Sequence, residues 1–217
     1  MFERLFRPAT RSTLIEAAFR DMAEMLDQAE RMLGLALGAL LEDEALEVDL
    51  DDLDDVIDEG ERMVRRSVLG HLSFNPSQDL VASLVLVSMV QDAERLGDFA
   101  RGIPELVPLA RHPRTGPFRD ELLHLAGRLT PLFATTKEAF TEDDPEKGRR
   151  VMATASELKA EFLDYTRRVA ESDLTADMAV VYSGAARSLR RVGAHLSNIA
   201  SSVVQPYDRI RHGDEEM

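Results

Sequence analysis

The stretch QDAERLGD, residues 91–98, sets Glu94 and Asp98 four residues apart inside an otherwise apolar helical pattern. Four residues is about one helical turn, so both carboxylates leave the same face. Like charges at that spacing cost a helix about 0.2–0.5 kcal/mol. Two hard oxygen donors one turn apart can chelate or bridge a cation, which removes the repulsion. The plainer alternative is a screened surface: Arg95 lies three residues before Asp98 and Arg101 three beyond it. Gly97, between the two acids, costs about 1 kcal/mol of helix propensity against Ala and points to a close approach by another helix or a ligand.

The elements that must hold this turn are helical. The 217 residues are 44% hydrophobic but only 6% aromatic, with no Trp and no Cys, and Ala, Leu, Glu, Arg and Met dominate. A lack of Cys excludes disulfides, thiolate metal sites and a cysteine nucleophile. The net charge of −14 argues against nucleic acid, whose binding needs a basic face. VASLVLVSMV, residues 81–90, is too short to span a bilayer and is followed at once by charge. With no signal peptide read at the start, these features predict a soluble, cytoplasmic protein.

Three- and four-residue apolar steps predict six helices: about Ser12–Leu41, one beginning near Leu50, Leu80–Ile103, Phe118–Thr141, Pro145–Ser172 and Leu174–Val204. SFNPSQD, residues 73–79, ends the second, with Ser77 or Asp79 as the next cap. PELVPLARHPRTGP, residues 104–117, holds four prolines and reads as a linker. A shift of 96 residues lays ERLGDFARGI, residues 94–103, on RRVGAHLSNI, residues 190–199. Arg95 then meets Arg191, Gly97 meets Gly193 and Ile103 meets Ile199. The expected architecture is all-α: two tandem three-helix bundles related by a pseudo-twofold, 12–103 and 118–205, joined by 104–117.

This helix order and repeat, with AERLGD at residues 93–98, closely resembles the PhoU family of phosphate-transport regulators. The family signature, (Leu/Ala)-Glu-Arg-(Ile/Leu)-Gly-Asp, occurs once in each of two three-helix lobes. The resemblance implies a regulator and not an enzyme, one that contacts phosphate transporter components and a sensor histidine kinase. It also implies a homo-oligomer, a dimer above all, that meets the membrane only through partners. Several members of the family bind iron, zinc or other divalent ions on the carboxylate motifs, where residues flanking the motif can add ligands; the resemblance thus makes Asp92 a further candidate ligand and Gln91 a weaker one. Two further readings stand beside it: a metal-binding helical protein with one carboxylate site, and an accessory subunit of a different ion transporter.

The second copy departs from the signature. LRRVGA, residues 189–194, puts Arg190 where Glu94 stands and Ala194 where Asp98 stands, and Ser201 follows where the family often has an acid. At most one metal site, divalent or iron, is therefore expected, on the first lobe, and none on the second. In its place Arg187, Arg190, Arg191 and His195 form a basic set. Arg190 is a candidate counter-ion for Glu94 or Asp98, across the pseudo-twofold or in a neighbouring subunit. Alternatively the set binds an anion or an acidic partner, or is a solvated helix face.

Other features carry less. Residues 42–61 contain twelve acids and no base. An EF-hand reading fails because Asp54 stands where such a loop needs Gly, which leaves a solvated face or a docking surface for a basic partner. Glu121 and His124 form a single Glu-x-x-His step, whereas di-iron bundles need two. The start, MFERLFRPATR, pairs Phe2, Leu5 and Phe6 with three arginines, as a cap on the bundle or a contact with an anionic surface. His71, His112 and His212 form no ligand spacing, and no phosphate loop or catalytic triad is present.

Overall fold

Helices start where short polar side chains can satisfy the free N–H groups of a first turn. Ser12 Oγ accepts from Ile15 N at 3.4 Å, Asp49 accepts from Asp51 N at 2.9 Å, and Asp144 accepts from Glu146 N and Lys147 N. In the computed structural model, which describes residues 12–211, these caps open α1 (Thr13–Leu41), α2 (Leu50–Phe74) and α6 (Pro145–Ala170). The opening MFERLFRPATR through Arg11, and His212, lie outside the described residues. Asp79 precedes α3 (Leu80–Arg101) in a left-handed conformation. Its side chain does not cap α3; it accepts from Ser12 N at 3.0 Å and so ties the start of α1 to the α2–α3 turn.

The predicted fourth helix is two. Pro131 lacks the N–H that would continue the ladder, so α4 (Pro117–Leu129) ends and α5 (Pro131–Glu142) begins around Thr130, which keeps helical angles. Counted as one bent helix, α4–α5 keeps the pattern of six. The last helix is α7 (Ala176–Ser201). All are α-helical, with a short 3-10 turn at Pro104–Leu109 and another at Tyr207–Arg209. Among the described residues no helix is long and apolar enough to cross a membrane.

α1, α2 and α3 pack on one another as one lobe, and α4–α5, α6 and α7 as the other. The lobes join where α3 lies against α7 and α1 against α5. The core is continuous across that seam, with Met22, Leu33, Met89 and Leu96 on one side and Phe133, Leu189, Val192 and Leu196 on the other. The 3-10 turn between the lobes is packed rather than slack: it lies on α7 and α1, and Leu106 sits against Gly184.

Gly97 shows why a glycine stands in the acidic turn. A Cβ there would lie 2.7 Å from Ile57 Cδ1 and 2.9 Å from Asp54 Oδ1 of α2, and Ile57 is fully buried. The two helices approach as closely as they do because that methyl is missing. Gly34, exposed on α1, has nothing within 4 Å of the same position. Gly34→Ala should therefore raise stability by about 0.5–1 kcal/mol through helix propensity. Gly97→Ala should lower it by about 1 kcal/mol or more, because crowding outweighs propensity. Urea denaturation of the two variants measures both signs.

Candidate functional site between two acidic helix faces

The turn of α3 that carries Glu94 and Asp98 is anchored from behind by Ala93, Leu96 and Ala100, all buried. That fixes the rotation of the helix and brings both carboxylates out along its α2 side. On α2 the buried positions Ile57 and Val64 set the matching rotation. Asp54, Asp58 and Glu61, spaced four and three residues apart, then border the same seam. Arg101 is threaded among them. Its Nε lies 2.9 Å from Asp54 Oδ2, and its terminal nitrogens reach Asp51 at 3.2 Å and Asp98 at 3.5 Å. Arg95 Nη1 holds the other Asp98 oxygen at 2.6 Å and Nε stands 3.5 Å from Glu94.

These two arginines do not balance the cluster. Burial, then the neighbouring Asp98, pushes the Glu94 carboxyl up to about 7, with Glu61 and Asp58 adding to the rise and Arg95 opposing it. Asp54 is raised as well, first by burial, against the pull of Arg101. The arrangement is an excess of oxygen donors that favours a positive guest or a proton. Among the described residues, however, no three His, Asp or Glu side chains converge as a formed metal cage. Asp98 is held by arginines on both oxygens.

The structure does not bring Asp92 to this cluster. Asp92 points the other way, into the α3–α7 seam, where it is 3% exposed. His195 Nδ1 lies 2.8 Å from its Oδ1 and Asn198 Nδ2 donates to the same oxygen at 2.9 Å. Arg211 donates to Oδ2 through Nε at 2.9 Å and Nη2 at 2.6 Å. Because the carboxylate can only accept, His195 carries its proton on Nδ1. Burial alone would raise the Asp92 carboxyl, but the hydrogen bonds from His195 and Asn198, and then Arg211, hold it below the usual range.

His195 is accordingly absent from any exposed basic face: its ring stacks on Phe99 with centroids 5.5 Å apart. Arg191 covers the outer side of Phe99 at 5.4 Å, a cation–π contact. Arg187 is exposed and Arg190 half-buried on α7, and neither has an ion pair among the described residues. Within the chain, then, the cations beside Glu94 and Asp98 are Arg95 and Arg101, and not Arg190. Glu121 is likewise committed elsewhere, to Arg168 of α6 at 2.8 Å.

The model of the PhoU domain matches residues 22–107 and again 122–203, one copy per lobe. The chain belongs to the PhoU family. It is 26% identical over 192 residues to the phosphate-specific transport system accessory protein PhoU homolog 1 of Thermotoga maritima, covering 85% of this chain and 83% of that protein. It is 24% identical over 197 residues to the PhoU homolog of Deinococcus radiodurans, covering 87% and 92%. The fold is that of the crystal structure of PhoU from Pseudomonas aeruginosa, with a TM-score of 0.80 at 22% identity, over 88% of this chain and 95% of that one. PhoU from Streptococcus pneumoniae superposes with a TM-score of 0.78 at 16% identity, over 88% and 93%. The chain is a non-catalytic regulator of the PhoU type.

For a PhoU chain, the acids of α2 are the part that sequence reading missed. Asp54, Asp58 and Glu61 were absorbed into the acidic run 42–61, whose density hides their spacing. The signal available was the apolar pair Ile57 and Val64, seven residues or two turns apart, whose stripe Asp54, Asp58 and Glu61 flank.

Two substitutions test the two environments. Asp92→Ala strips a buried ion pair and should cost about 3 kcal/mol at pH 7. Since Asp92 titrates low in the folded state, that cost is present above its ordinary value of 3.8 and is lost as the pH falls below it. Glu94 has the opposite sign. Its raised carboxyl binds a proton more readily folded than unfolded, so it weakens the fold progressively between about 4.5 and 7. With chelator present, Glu94→Gln should therefore stabilise by about 1 kcal/mol at pH 8, after allowance for solvent screening, and by much less at pH 5. Denaturation curves across pH read out both.

Proposed function

We propose that this chain couples phosphate uptake to signalling by binding phosphate transporter components and a sensor histidine kinase. In this reading it works in the cytoplasm as a homo-oligomer, and a single divalent cation or iron site in the first lobe sets the state of its surface. Family membership and the names of the relatives, accessory proteins of phosphate-specific transport systems, support the partners. The observation that carries the cation is the pair of facing acid rows, α2 and α3, with Glu94 raised to about 7. Glu94 and Asp98 from α3, with Asp54, Asp58 and Glu61 from α2, are the donors for a hard cation. Loading such an ion requires Asp98 to exchange its contacts with Arg95 and Arg101 for the metal. Asp92 is no ligand in this scheme, because it is committed to His195, Asn198 and Arg211.

The second lobe lacks the carboxylates, and Arg187, Arg190 and Arg191 of α7 present an anion- or partner-binding face there. A charged division of labour follows, with a cation on one lobe and an acidic partner surface or phosphate on the other.

Elemental analysis of untagged protein purified without chelator is the direct test. Wild type should carry iron, zinc or another divalent ion at about one site per chain. Glu94→Ala/Asp98→Ala and Asp54→Ala/Asp58→Ala should each lose it while keeping their helical circular dichroism, and Asp92→Ala should keep it. Metal absent from wild type after iron and zinc are supplied would sink the cation. Failure of both the kinase and the transporter to bind the purified chain would sink the partners. Because Glu94 must give up its proton to bind, affinity should rise steeply between about pH 6 and 8.

A further inference from the structure

A groove of about 770 Å³ runs along the outside of the first lobe between α1 and α2, away from the α2–α3 seam. Its floor is apolar and unusually open for surface helices. Val56 is 57% exposed and Met63 is 42% exposed, and Met25 lies beneath them across the notch left by Gly60. Its rim is acidic. Asp27 and Glu59 are matched by Lys137, Arg62 and Arg66. Asp21, Glu24 and Asp55 form no ion pair among the described residues. Burial, and then Glu24, raises the Asp21 carboxyl against the pull of Arg20. Arg31 is the one basic residue lining the groove and stands at one end.

We infer that this groove receives a basic amphipathic helix of a partner protein. This deepens the reading of the chain as a partner-binding regulator and rests on it. The length fits: from Asp21 to Arg31 the α1 wall is about 15 Å long, room for about ten residues of a helix laid alongside. The floor supplies what the apolar stripe of such a helix needs, and methionines adapt to the side chains they meet. The unpaired rim acids meet Lys or Arg flanking that stripe, which steers the encounter and fixes which face docks. The same rim repels anionic lipid headgroups and nucleic acid. It also disfavours a second copy of this chain, whose net charge is −14.

The probe is a fluorescein-labelled peptide of about 18 residues, five helical turns, with Leu on one face and Lys on the other, beside a shuffled peptide of the same composition. Binding to the full chain is followed by anisotropy at 0.15 M salt. The amphipathic peptide should bind at least about tenfold more tightly than the shuffled one. Val56→Glu should weaken it about tenfold or more, and Asp21→Asn/Glu24→Gln should weaken it and flatten its salt dependence. Val56 is exposed, so its variant should keep the wild-type melting temperature; Met63→Glu serves as a second, independent floor variant. Equal binding of the shuffled peptide, or full binding by both floor variants, overturns the inference. Light scattering that shows a wild-type dimer dissociating in Val56→Glu would assign the groove to a second copy and overturn it too. Glu94→Ala/Asp98→Ala should bind the peptide like wild type, which keeps failure of the cation site distinct from failure of the groove.

Discussion

The carboxylate of Asp92 is the charge around which the two lobes are assembled. It sits almost wholly out of water on α3, and each of its oxygens is taken by a donor from beyond the first lobe. His195 and Asn198 come from α7, and Arg211 from the segment after it. A buried charge is tolerated only when its lone pairs are filled in good geometry, so the seam has one register at which it closes. Apolar contacts along α3 and α7 supply the area, and Asp92 supplies the selectivity. Arg211 also donates to Ser88 O through its guanidinium and to Ser201 Oγ through its backbone N–H. With Tyr207 Oη against Ser88 Oγ at 3.1 Å, the chain after α7 is drawn back across α3.

The repeat explains where the seam's ring contact falls. Phe99 and His195 are equivalent positions of the two copies, 96 residues apart, and they stack on one another. In a twofold arrangement only residues close to the axis touch their own equivalents. The axis therefore passes between α3 and α7 at this point. The two copies differ right there: one ring is an apolar phenylalanine, and the other is an imidazole that donates to Asp92.

The two lobes differ electrostatically. In the first, the absence of a Cβ at Gly97 draws α2 and α3 together, and that approach concentrates acids that two arginines do not balance. In the second, Gly193 keeps the same frame but Arg190 and Ala194 stand where the acids would be. The outer groove on α1 and α2 adds an acidic surface on the opposite side of α2. One helix thus borders both the seam and the groove.

Much of this was legible in order of residues. Period and caps locate the helices because burial of a stripe and satisfaction of first-turn N–H groups are local requirements, met by Ser12, Asp49 and Asp144 within a few residues. The repeat, the AERLGD turn and the loss of its acids in the second copy are likewise linear facts. Pro131 was legible too, yet its consequence was missed, since the apolar pattern continues across it and only the missing hydrogen bond divides the helix. The direction of Asp92 was decided by tertiary structure alone. It lies two residues from Glu94, which is about 200° around a helix, so the two acids leave nearly opposite faces. Sequence proximity made Asp92 look like a ligand of the same site. The packing of α7 made it the partner of His195 instead. Asp54, Asp58 and Glu61 became neighbours of Glu94 for the same reason: helix rotation is set by which side chains are buried against other helices, and that information is distributed over the whole chain.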